Sequence, residues 1–406
     1  MMTPSQPKLA QLSVLWKQVV GLAAVQGAIA LTWVVYNLYL PKLLGQFGLP
    51  QSLAVSLLVG ESLLAVGLEP LMGSVSDQQR QWMGSRLPLI TFGVILATAL
   101  FLAIPAVVLW GSPMAAGRWV LLGVIVAWAI AMSLFRSPVL ALLGHYAVGT
   151  KLPQAASILT LAGALVGAVS VFANQLILSL GPAIAFAIGS LVLLGATAVL
   201  RTLNARSETL LEPVLSPAGR FLQPSVIAML GLILGAGFGV GLGATLMRKV
   251  LTLLSPQLNP GLLISLFAAA HVLTVLPAGQ LAGRLGNHRA MLLGVGAMAG
   301  LLSLVVAVPG SATIASVLLG SAFSLVSNGS IPLALSLVPP TTAGLSVGTY
   351  FAGAALASSL SGLAASQLGA LSSGASGLFA ALALSGAGAC ITLSDRLQRR
   401  QKVAQV

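Results

Sequence analysis

Residues 69–90 read EPLMGSVSDQQRQWMGSRLPLI, and residues 279–289 read GQLAGRLGNHR. Each stretch follows a long apolar run and has a first glycine, Gly73 or Gly279. Four residues later comes Asp77 or Gly283, and then basic residues around a further glycine: Arg80, Gly84 and Arg86 in the first, Arg284, Gly286 and Arg289 in the second. A second echo joins SPVLAL at 137–142 to IPLAL at 331–335. The chain is read as two related halves. A duplicated membrane protein of this kind is expected to rock its halves about a site near mid-depth.

Composition fixes the solvent. Of 406 residues, 57% are hydrophobic and 6% charged, with mean hydropathy +1.03. Soluble domains carry roughly 25% charged residues, so a water-clothed globule is excluded. Aromatic residues make up 5%, and no alternating ten-residue pattern repeats, which argues against a transmembrane β-barrel. Apolar runs long enough to cross a bilayer predict twelve membrane helices, at about 18–40, 53–75, 88–110, 119–144, 154–179, 182–202, 225–247, 260–282, 290–309, 312–336, 343–367 and 374–394. The expected fold is therefore all-α and integral to the membrane, with twelve transmembrane helices in two pseudo-symmetric six-helix halves. Residues 1–17 are read as a cytoplasmic N-terminal segment, 18–202 as the first half and 203–224 as a cytoplasmic linker. Residues 225–394 form the second half and 395–406 a cytoplasmic tail.

A net charge of +13 suggests nucleic acid in a soluble protein; here it reports orientation. Fourteen basic residues fall on the side that holds both termini: Lys8, Lys17, Arg80, Arg86, Lys151, Arg201, Arg206, Arg220, Arg284, Arg289, Arg396, Arg399, Arg400 and Lys402. Four fall on the other: Lys42, Arg118, Arg248 and Lys249. The positive-inside rule makes the first side cytoplasmic. The single cysteine, Cys390, excludes an internal disulfide and any cysteine-based metal cluster.

Ionisable groups at bilayer depth cost about 2.5–3.5 kcal/mol each on insertion scales, so each needs a reason. Glu61, Glu69, Arg136 and His271 are such groups. Glu69 and Arg136 fall at similar depth, Glu69 about 24 Å along its span from the outer end, and bear opposite charges. Burial favours the neutral form of a carboxyl and a nearby guanidinium favours the charged one, a competition that a solute can tip. Glu69 is thus the expected coupling acid and Arg136 its partner or a substrate anchor, the alternative being a permanent clamp between helices. Glu61 is read as either a second proton site or a residue at the cavity mouth. His271 is read as a relay or, with more weight, as a hydrogen-bonded core histidine. In span one, Gln26, Trp33 and Asn37 share a helical face beside Tyr36, which suits a sugar ring stacked on an aromatic and hydrogen-bonded to amides. The alternative places Trp33 and Tyr36 in the interfacial aromatic belt. Asn174, Asn328 and Tyr350 are further candidates for the cavity. Gly73, Asp77, Arg80, Gly84, Arg86, Gly279, Arg284 and Arg289 make up the repeated loop motif, in which Gly73 suits close helix approach and Asp77 can meet helix N-termini or Arg86. The glycines at 235, 237, 239, 241 and 243 are read as close helix packing, or else as a flexible gating segment.

These residues resemble the major facilitator superfamily, whose loop signature runs glycine, three residues, aspartate, then basic residues around a second glycine. Glu69-Pro70-Leu-Met-Gly73, Ser76-Asp77 and Gly84-Ser-Arg86-Leu-Pro88 are closer to one branch, the glycoside–pentoside–hexuronide cation symporters and sucrose-type carriers. The stretch from Arg136 to His145 and residues 36–49 (YNLYLPKLLGQFGL) resemble the same branch. His145 stands where that branch has an aspartate, Ala65 where melibiose-type members have a second cation-binding acid, and Gly283 where the second loop motif has its aspartate. The resemblance implies the major facilitator fold and a cation-coupled sugar carrier, with Glu69 at the cation site and Asp77 in the inside gate. A bacterial plasma (inner) membrane is the expected location.

No phosphate-binding loop ending in Gly-Lys-Ser/Thr and no His-Glu-x-x-His helix occurs, so ATP-driven transport by this chain and metal-assisted hydrolysis are not expected. An enzyme is not expected, nor a metal or cofactor beyond a coupling ion, for which H⁺ is the choice. The expected partners are the lipid bilayer and a small solute, with no nucleic acid and a monomeric state. Two other classes stay open: a carrier-fold protein handling a pigment or other hydrophobic ligand, and a non-transporting membrane assembly protein.

Overall fold

The computed structural model describes residues 14–110, 115–205, 223–253, 260–367 and 372–403. Among them are thirteen α-helices: α1 (Trp16–Gln46), α2 (Ser52–Met83), α3 (Leu87–Trp110), α4 (Ala115–Ala141), the short α5 (Leu143–Tyr146), α6 (Leu152–Ser179), α7 (Pro182–Ala205), α8 (Pro224–Leu253), α9 (Pro260–Leu285), α10 (Asn287–Ala307), α11 (Ala312–Ser336), α12 (Ala343–Gln367) and α13 (Ser373–Val403). Twelve helical segments are long and apolar enough to cross a membrane. Lipid offers the backbone no hydrogen bonds, so a helix, which satisfies its own, is the form these sequences must take. Prolines 41, 70, 105, 138, 277 and 332 all sit inside helices, as neighbouring helices in a bundle permit. Trp82, Trp110 and Trp119 are exposed near helix ends, where a membrane interface accommodates an amphipathic ring.

Several helices run past their expected spans, α2 to Met83 and α8 to Leu253 among them, and two further boundaries differ. The fourth span is broken after Ala141, three residues past Pro138, and resumes as α5. The segment from 395, expected as a tail, continues α13 to Val403. No glycine or proline stops the helix there, and Arg399 pairs with Asp395 one turn earlier at 2.9 Å. The expected N-terminal segment up to residue 13, the linker over 206–222 (with Arg206 and Arg220) and the last three residues lie outside the described residues.

Helices α1–α4, α6 and α7 pack against one another, as do α8–α13, and the two groups meet chiefly along α2–α12 and α6–α9. With Gly73 matched to Gly279, these two seams are equivalent. Small residues set the approach. A Cβ on Gly73 would overlap the carbonyl of Gly344, and one on Gly348 would overlap that of Glu69, so α2 and α12 touch backbone to backbone. The five alternating glycines of α8 from 235 to 243 each abut a neighbour: 237 and 241 face Tyr350 and Ala354 of α12, while 235, 239 and 243 face Cys390, Ala383 and Leu384 of α13. Close packing accounts for all five. Gly84 and Gly286 hold the same place in each half, at the end of α2 and the start of α10, with φ of 72° and 89°. Positive φ disfavours a residue with a Cβ, by roughly 1–2 kcal/mol in the left-handed region that Gly84 occupies, which explains the repeated glycine.

Asn328 is fully buried on α11, where its Nδ2 donates to the carbonyl of Val275 on α9 at 2.7 Å. It ties two helices together and does not line the cavity described below. Asn328→Ala is therefore expected to lower stability by about 1 kcal/mol, a typical interhelical hydrogen bond in a membrane bundle. A thermal unfolding curve of the purified protein checks this; an unchanged midpoint would remove the staple role.

Candidate functional site

A cavity of about 310 Å³ lies between α1, α2, α4 and α12. That is the small end of the range for ligand pockets. Its polar lining is Asn37 from α1, Glu61, Ser62 and Glu69 from α2, Ser133 and Arg136 from α4, and Ser358 from α12. Trp33, Met132 and Phe351 supply apolar faces.

Glu69 is almost fully buried, and both its carboxylate oxygens have donors. Ser137 Oγ donates to Oε2 and also lies 3.0 Å from the Glu69 carbonyl, while Arg136 Nη1 stands 3.4 Å from Oε1. The spacing explains the triad: Arg136 and Ser137 are adjacent on α4, which packs against α2. Arg136 is the looser member. Its side chain is 31% exposed against 1% for Glu69, and its guanidinium rests 4.7 Å from the centroid of Phe351, contributed by the other half. A cation over an aromatic face retains part of its stabilisation when its carboxylate partner is neutralised. The pair can therefore open without leaving either group stranded.

Glu61 lies two turns away. Its Oε1 accepts the hydroxyl of Tyr36, and its Oε2 is buried without a partner. Tyr36 is fully buried behind the wall, with ring centroids 4.4 Å from Trp128 and 5.8 Å from Trp33. Trp33 and Asn37 line the cavity, so the aromatic-belt alternative does not describe span one. Gln26, on the same stripe, is not in the lining; its side chain faces Gly163 of α6 instead.

Four sequence candidates fall elsewhere. His271 bonds through Nδ1 to Ser324 Oγ at 2.9 Å and packs beside Phe267 and Phe323, a core histidine tying α9 to α11. Tyr350 bonds to Ser330 at 2.8 Å between α11 and α12. Asn328 is the staple already described, and Asn174 is exposed near the end of α6, outside the lining. One residue of helix rotation, about 100°, turns Tyr350 away and brings Phe351 to the cavity. Ser137, Phe351 and Trp128 were not among the sequence candidates. Only Ser137 carried a signal, its adjacency to Arg136.

At the end of α2 the gating residues divide. Asp77 and Arg86 form a buried ion pair, which excludes a surface salt bridge. The Asp77 carboxylate also accepts the first backbone N–H groups of α12, from Gly344 and Leu345, each at 2.9 Å. An acid from one half thus caps a helix of the other, where orphan donors and the helix dipole favour negative charge. Arg80 reaches the carbonyl of Pro340 at 3.5 Å. The equivalent seam has no acid. Gly279 packs on Ser157 and Gly283 on Gln154 of α6, while Arg284 and Arg289 are exposed and outside the ion pairs found among the described residues. Asp77→Ala is expected to cut any transport at least tenfold in protein that still elutes as one species, since two charge-assisted hydrogen bonds of about 1.5–3 kcal/mol each are lost at the seam. Undiminished transport would return Asp77 to a purely structural role.

No protein-family model matches the sequence, and no curated protein sequence matches it. Among solved structures, the chain is similar to that of the major facilitator superfamily proton:xylose symporter XylE, solved with 6-bromo-6-deoxy-D-glucose bound. The TM-score is 0.69 at 15% identity, over 92% of this chain and 94% of that one. This likeness shows the fold: the chain is an integral membrane protein with the twelve-helix major facilitator architecture.

Proposed function

We propose that the chain is a secondary transporter that moves a small solute, a sugar or glycoside, by alternating access, with proton coupling through Glu69. The observation that carries the reading is the buried carboxyl of Glu69 on the wall of a solute-sized cavity, held by an arginine that has a second partner in Phe351. Loading Glu69 with a proton frees Arg136, and a solute that contacts Arg136 then competes for the same group. Three further observations support the reading: Trp33 offers a ring face beside Asn37, the motif residues resemble the sucrose-type branch, and a protein of the same fold is a proton:xylose symporter. The excess of basic residues supports a cytoplasmic Asp77 end. The state described, shut at that end, is then the outward-facing one.

The test is proton movement in liposomes holding purified protein, driven by a panel of monosaccharides and glycosides including D-xylose. Solute-dependent alkalinisation of the outer medium is expected for at least one sugar. No proton movement with any of them, together with a visible absorbance band that copurifies, would replace this reading by carriage of a pigment.

A further inference from the structure

The two acids of the cavity are built differently. Glu69 has a donor for each oxygen, from Ser137 and Arg136. Glu61 has one donor for two oxygens, the Tyr36 hydroxyl on Oε1, and its buried Oε2 has none. From the elements packed on α2, the groups facing this part of the cavity are few. Helix α1 brings Tyr36, Trp33 and Asn37; α12 brings Ala355 and Ser358, neither titratable. Helix α4 brings Arg136, which is already committed to Glu69 and Phe351. The ion pairs found among the described residues leave Glu61 without a cation.

An ionised Glu61 would keep one charged oxygen without a donor in the protein, and a buried polar group left unsatisfied is costly, most of all when it is charged. A neutral Glu61 removes that charge: Oε1 still accepts from Tyr36, and the proton sits on the buried Oε2, where no donor is needed.

We propose that Glu61, held by Tyr36, is a second proton site of this cavity, separate from the Glu69–Arg136 pair. This rests on the reading of the cavity as the transport site. The two acids are eight residues apart, about 12 Å along the helix, so each exchanges its proton in its own surroundings. Glu61 holds its proton in the wall of the cavity, on an oxygen that has no cation beside it. Glu69 switches an ion pair instead.

The scarcity of acids makes the test clean, because the chain has six acidic side chains. Full-length protein in lipid nanodiscs is titrated from about pH 9 to about pH 5 with infrared detection of protonated carboxyl groups, no solute being needed. The expected result is that Glu61→Gln loses one protonated-carboxyl equivalent relative to the unsubstituted protein. Tyr36→Phe keeps that equivalent but shifts its band, since the hydrogen bond on Oε1 is gone. Glu69→Gln leaves the Glu61 band in place. Identical spectra for Glu61→Gln and the unsubstituted protein overturn the proposal. So does an unmoved band in Tyr36→Phe, which also serves if Glu61→Gln does not fold. If only Glu69→Gln removes a band, the second site falls while the transport reading stands. If the Glu61 band behaves as expected and no solute moves, the transport reading falls and the proton site stands.

Discussion

Glu69→Gln is expected to abolish uphill accumulation while leaving exchange of solute across the membrane intact. One proton moved with each solute across a gradient of one pH unit supplies about 1.36 kcal/mol, which is tenfold accumulation. The glutamine variant cannot switch the ion pair with a proton, and with coupling carried by that switch its accumulation ratio falls to about one. Its fold survives for a geometric reason. The amide oxygen still accepts from Ser137, and Arg136 retains Phe351 and its partial exposure. Measuring uptake against a pH gradient beside counterflow of labelled solute separates the two functions. Accumulation equal to that of the unsubstituted protein would show that the Glu69–Arg136 pair is a permanent clamp.

Gly73→Val is expected to hold the carrier open at the Asp77 end. Any Cβ at this position meets the carbonyl of Gly344, a backbone atom that cannot rotate aside. Helices α2 and α12 must separate, and the two bonds from the α12 N–H groups to Asp77 are lost with the approach. Overpacking costs roughly 1–3 kcal/mol and each charge-assisted bond about 1.5–3 kcal/mol, so the shut state loses on the order of a hundredfold or more in population. Ser76, fully buried one turn before Arg80, reports the change when replaced by cysteine in a Cys390→Ser background. Labelling by a membrane-impermeant maleimide should rise steeply in the valine variant. Equal labelling with and without the valine would show that this seam does not gate the cavity.

Glu69 and Arg136 were legible as a pair because charge is rare here and depth can be counted along a helix. Asp77 and Gly73 were legible because a glycine and an acid one turn apart, next to a basic loop, serve close approach and capping together. His271, Asn328 and Tyr350 looked no different in sequence, yet they bond within the second half and leave the cavity to Phe351. Polar residues on a membrane helix must find partners, and the sequence does not say whether the partner is a neighbouring helix or a ligand.

The amino-acid sequence alone determined the solvent, the number of spans and the repeat that relates the halves, because these follow from hydropathy and length, which are local properties. It also marked the glycine-to-aspartate spacing at 73–77. Only the tertiary structure decided what that acid does. Asp77 caps α12, more than 260 residues away in the chain; at Gly283 the corresponding seam closes on glycine and a side chain of α6 instead. The same holds for Glu61, whose single donor lies on another helix. Capping, pairing and cavity lining depend on how each helix is rotated against its neighbours, and that rotation is set by packing across the bundle.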